Sequence, residues 1–137
     1  MTRRGLVALG DSITNGHGEP ALGVTMQSWA QWLAEVLALH VEPELDLVTY
    51  LPRVGSLSAL DAASGAVLKA GMEDPDDPVF LSTLYLGRDA LTARHPALDA
   101  DADGARVLRS VLMKPEHEQA VPWLHERVEG LARAALA

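Results

Sequence analysis

A chain of 137 residues, 48% hydrophobic and 22% charged, has the length of one domain and enough apolar material to bury a core, which excludes global disorder. With 19 acids against 11 bases the net charge is −8, which argues against nucleic acid and anionic membrane as main partners, since both need a basic face. No cysteine is present, so disulfides, thiolate catalysis and cysteine-based metal centres are excluded; no apolar run approaches the ~20 residues of a membrane span, and the chain reads as an acidic, soluble, cytoplasmic domain.

Arg3 and Arg4 precede the apolar run Gly5–Gly10, which is too short for a signal peptide and is broken at once by Asp11. That run has the form of a buried strand entering a turn, and the glycine-rich Asp11–Gly23 is a long loop. From Met26 the spacing of Trp29, Trp32, Leu33, Val36, Leu37 and His40 predicts a helix over Met26–Leu39, capped by Thr25. Alternation over Leu45–Leu51 predicts a strand stopped by Pro52. Ser58 and Asp61 resemble a capping box for a helix over Ser58–Ala70, with Gly71 as its stop. After an acidic loop, Val79–Leu86 reads as a strand; Gly87–Gly104 shows no sustained period; Arg106–Met113 reads as a strand antiparallel to Val79–Leu86. A last helix follows Pro115 over Glu116–Ala135, with Pro122 expected to kink or restart it.

Gly10-Asp11-Ser12-Ile13-Thr14-Asn15-Gly16 is the sharpest motif. A serine on a strand-to-helix turn between glycines can expose its hydroxyl and keep its amide free, as an acyl-transfer nucleophile and oxyanion donor require. A turn that only caps the next helix would use the same residues. Residues 4–39 resemble the N-terminal block of the SGNH, or GDSL, esterases and lipases, which implies Ser12 as nucleophile and Asp11 as its motif neighbour. Gly55 could stand for the glycine of that family's second block. The third-block Gly-x-Asn-Asp has no counterpart, because Asn15 is the only asparagine. No histidine lies three residues after an aspartate, so the base is not matched either.

Residues 41–137 resemble the C-terminal small domain of group II pyridoxal-phosphate-dependent decarboxylases. The resemblance is carried by EPELDLVTYLPR (Glu42–Arg53), VFLSTLYLG (Val79–Gly87) and VLRSVLMKPEH (Val107–His117). It implies a small α/β layer that packs against a large cofactor domain. Neither Lys69 nor Lys114 follows a histidine by two residues, and the phosphate loop has no counterpart, so no pyridoxal phosphate, and no other cofactor, is expected on this chain.

Asp99, Asp101, Asp103 and Gly104 open like a calcium loop, but Arg106 and Ser110 stand where an apolar residue and a glutamate belong; a solvated acidic turn is the expectation, and no metal site. His117 and His125, eight apart on a helix, lack the further ligands of a zinc site. Trp29, Trp32 and Trp123 are expected to pack in the core, and Arg109, beside Arg106 on a strand, to form a buried ion pair.

Together these readings give an α/β fold: one two-layer domain over residues 1–137, in the order β-α-β-α-β-β-α, with a mixed sheet covered by helices. Residues 1–40 are the hydrolase-like front and 41–137 the decarboxylase-like remainder. The functional expectation is an incomplete serine esterase of weak or no activity, with Ser12 as nucleophile and small esters as substrate. The alternatives are a non-catalytic orphan decarboxylase domain, or a hybrid product without selected activity. A small domain without its large partner exposes an apolar face, so a homo-oligomer is expected.

Overall fold

The computed structural model describes residues 36–40, 47–111 and 117–137. In chain order these form strand β1 (Leu37–Leu39), strand β2 (Leu47–Pro52), helix α1 (Leu57–Glu73), strand β3 (Ser82–Gly87), helix α2 (Arg88–Arg94), strand β4 (Gly104–Val111) and helix α3 (His117–Leu136). The expected two-layer α/β architecture is what they build: a four-stranded sheet in the order β1-β2-β4-β3 with helices packed on it. Each described ladder is antiparallel, including β3–β4, so among the described residues the sheet is antiparallel and not the mixed one expected. The strand expected at Gly5–Gly10 and most of the helix expected from Met26 lie outside the described residues.

Strand alternation decides which residues meet which layer. Leu37, Val48, Tyr50 and Leu108 share one face and pack with Val67 of α1 and Val121, Val128, Leu131 and Ala132 of α3. Full burial of a valine or leucine there contributes about 1.5–3 kcal/mol. The opposite face carries Leu51, Ala105 and Val107, which pack with Leu91 of α2, Leu98, and Leu57 and Leu60 of α1. α1 reaches this second cluster because the β2–β4 ladder stops at Tyr50–Leu108. Past that point the amide of Arg106 donates to Asp61 of α1 at 2.9 Å instead of to a strand. The far half of the second face is barer: Leu47, Leu84 and Val111 are all exposed.

Gly104 closes the β3–β4 ladder opposite Gly87. A Cβ there would run into the Leu86 carbonyl and the Tyr85 ring, so the strands can approach this closely only at glycine.

Several expected details are corrected. Leu37–Leu39, placed at the end of a helix by spacing, is a strand; its backbone pairs with Tyr50–Pro52, and that tertiary pairing overrides the local period. The α1 cap is Ser56, whose hydroxyl accepts from Ala59 N at 3.3 Å; Ser58 and Asp61 form no capping box and turn to Asp101 and Arg106. Gly71 does not stop α1, which runs on to Glu73; its carbonyl accepts from Val79 N, and Val79 packs where a side chain would otherwise stand. The aperiodic stretch after β3 contains α2, too short to show a period. α3 continues through Pro122 as one helix instead of restarting. No helix among the described residues is long and apolar enough to cross a membrane.

Candidate functional site

Ser12 and Asp11 lie outside the described residues, as do Asn15, Trp29, Trp32 and Lys114. Gly55 is described, on the exposed connection between β2 and α1. Its carbonyl accepts from Asp99 N at 2.8 Å, and open space surrounds its α-carbon. Lys69 is exposed on α1.

Four of the described serines, Ser56, Ser58, Ser82 and Ser110, bond groups other than histidine. Ser56 caps α1, and Ser58 bonds Asp101 through both its amide and its hydroxyl. Ser82 donates to the Arg109 carbonyl at 3.2 Å and accepts from Arg109 Nε at 3.0 Å. The Ser110 and Tyr50 hydroxyls meet at 2.9 Å in the core, where burial pushes the Tyr50 phenol well above its ordinary range. Ser64 Oγ is buried without a partner.

The acidic run Asp99–Asp103 is a clasp between segments, its groups aimed in different directions. Asp99 bridges to Ser56 and Leu57 through its backbone, Asp101 holds Ser58, and Asp103 pairs with Arg88 at 2.6 Å. The hydrogen bonds from Ser58 hold the Asp101 carboxyl below its ordinary range. No group of three or more metal-binding side chains converges among the described residues.

The buried ion pair expected at Arg109 is corrected: the pair is made by Arg106 and is part-exposed. Arg106 forms the ion pair, with Nε and Nη2 each 2.8 Å from Asp61, while Arg109 bonds Ser82. The parity of β4 points the even-numbered Arg106 toward α1, where Asp61 waits. Trp123 is corrected as well: it is 45% exposed, with its Nε1 3.4 Å from Asp77 Oδ2. On α3 His125 pairs with Glu129 at 2.9 Å, and Glu129 also accepts from Arg133 at 2.8 Å.

The feature that sequence reading missed is a polar row across the barer face of the sheet. His40 N donates to Thr49 O, Thr49 is the register partner of Arg109, and Arg109 is the register partner of Ser82. Side chains of register partners stand about 5 Å apart on the same face. His95, the C-cap of α2, closes over one end: His40 Nδ1 and His95 Nε2 lie 3.1 Å apart, with ring centroids at 5.3 Å. Desolvation lowers the pKa of both imidazoles, and Arg94 lowers both further; His95 also lowers that of His40. Thr49 Oγ1, in the middle of the row, is buried without a partner. The two histidines are 55 residues apart, so no spacing rule could have joined them.

No protein-family model matches the chain, and no curated protein matches it.

Proposed function

We propose that the chain is a non-catalytic α/β module that works by association, in the manner of the small decarboxylase domain its residues 41–137 resemble, and that its partner is a second copy of itself. The observation that carries this reading is the outer edge of β3. Residues Phe80–Gly87 read FLSTLYLG, with no charge and no proline. Edge strands that must stay solitary are usually blunted by charge, proline or a bulge. Here Phe80 is 76% exposed and Tyr85 61%, and among the described residues β3 pairs with β4 alone. A two-fold axis lets such a strand pair antiparallel with its own copy, so one segment supplies both halves of the interface. A hollow of about 250 Å³ lined by Phe80, Leu81, Ser82, Arg109, Val111 and Leu124 extends the surface next to that edge.

The esterase reading, with a small ester as substrate, separates from this one by rate. An unassisted serine lacks the roughly 10²–10⁴-fold that a positioned base contributes. Aryl-acetate hydrolysis by the wild type and by Ser12→Ala is expected to be equal and near background. A wild-type rate about 10²-fold above the variant's would overturn the non-catalytic reading and make Ser12 a nucleophile.

A further inference from the structure

We propose that His40, His95 and Arg94, together with the Thr49 hydroxyl, form a binding site for a small oxyanion, namely a carboxylate or phosphate group. This goes beyond the association reading and does not depend on it.

The chain carries 19 acids against 11 bases, so a basic group should find a carboxylate easily. Arg88, Arg106, Arg127 and Arg133 all do. Arg94, close enough to act on both imidazoles, has no carboxylate partner among the described residues, and among those residues no acid is one of the groups that act on His40 or His95. Arg109, next along the row beyond Thr49, donates from its Nε to the Ser82 hydroxyl, pairs with no carboxylate among the described residues, and adds a further positive charge to that face. Arginine charge without a carboxylate among the described residues, beside half-buried imidazoles, is costly, and an anion removes the cost.

One imidazole donates to the other across the 3.1 Å contact, which uses His40 Nδ1 and His95 Nε2. The accepting ring already carries its proton on its free nitrogen, and the donating ring gains one there on protonation, so with one proton taken up His40 Nε2 and His95 Nδ1 are both N–H donors and the contact is kept. Thr49 Oγ1 is buried on the same face beside His40 and bonds nothing. A buried hydroxyl without a partner costs about 1–3 kcal/mol, and an oxyanion accepts from it. The site therefore places a hydrogen-bonded imidazole pair, the neighbouring Arg94 and an orphaned hydroxyl at one end of the row, the donor types that suit a carboxylate or phosphate.

Desolvation lowers the pKa of both rings, His95 lowers that of His40 further, and Arg94 lowers both. A bound anion reverses the electrostatic part of that, so binding takes up protons and strengthens as pH falls.

The test follows the histidine ring resonances of the full chain by NMR while inorganic phosphate, or in a separate arm acetate, is added at constant ionic strength. At about pH 5.5 the His40 and His95 signals should move saturably, with affinity about tenfold weaker at about pH 7.5. His125, on α3, serves as the control and should not follow. Saturation at lower phosphate than acetate identifies a phosphoryl ligand, and the reverse order a carboxylate. His95→Gln should abolish the response; the exposed Arg94→Ala should weaken it in a chain whose amide spectrum stays native. Responses that never saturate, or that survive in Arg94→Ala unchanged, overturn the proposal. So does saturable binding of zinc alone that tightens as pH rises, because neutral imidazoles would then be serving as metal ligands.

Discussion

Asp61 and Arg106 join α1 to β4 through side-chain bonds at 2.8 Å and a backbone bond at 2.9 Å, with Gly65 leaving room for the guanidinium. The Arg106 hydrogen bonds hold the Asp61 carboxyl below its ordinary range. Both side chains are more than a third exposed, so solvent screens the pair. Asp61→Asn is therefore expected to cost only about 1 kcal/mol in denaturant melts at neutral pH. Because the folded pKa lies below 3.8, that contribution is present above 3.8 and fades as acid protonates the wild type; the gap between the two proteins should close there. A gap that persists in acid would assign the effect to packing. For His40 and His95 the folded pKa also lies below the unfolded 6.5, so the unfolded chain takes up protons that the folded one refuses. Stability should fall as pH drops below 6.5, and His95→Gln should flatten that slope. An unchanged slope would mean that other groups carry it.

At the scale of elements, α3 contains Pro122 five residues after its first residue. Proline has no amide for the carbonyl of Glu118, and its ring crowds that turn. Pro122→Ala should raise stability by about 1–3 kcal/mol, read as a higher urea midpoint with an unchanged slope; a lower midpoint would show that the ring makes a contact worth more than the lost bond. The legible elements are those whose pattern outlasts a few residues. α1 declares itself by Leu57, Leu60, Ser64 and Val67, all fully buried, and β4 by a run of β-branched and aliphatic residues. β1 and α2 are short, three and seven residues, and local spacing carries no information at that length. β1 is a strand because Tyr50–Pro52 lies beside it, and that partner is invisible to a window centred on Leu37. The same limit hid the polar row, which exists only after β1, β2, β4 and β3 align and α2 brings His95 over His40. Likewise, nothing in the sequence of β4 says which of Arg106 and Arg109 meets a carboxylate, since that depends on where α1 places Asp61.

For the whole molecule, the sheet is well covered on one face by α1 and α3 and only partly on the other. Leu47, Leu84 and Val111 on the barer half join Phe80 and Tyr85 at the β3 edge as surface that water solvates poorly. The proposed pairing of this edge with a second copy is tested directly by light-scattering mass across a protein dilution series. The wild type should approach twice the monomer mass at the highest concentration, while Leu84→Lys, which places a charge on the pairing strand, should remain monomeric with a native amide spectrum. A wild-type mass equal to the monomer at every concentration, or a dimer that Leu84→Lys leaves intact, would contradict it.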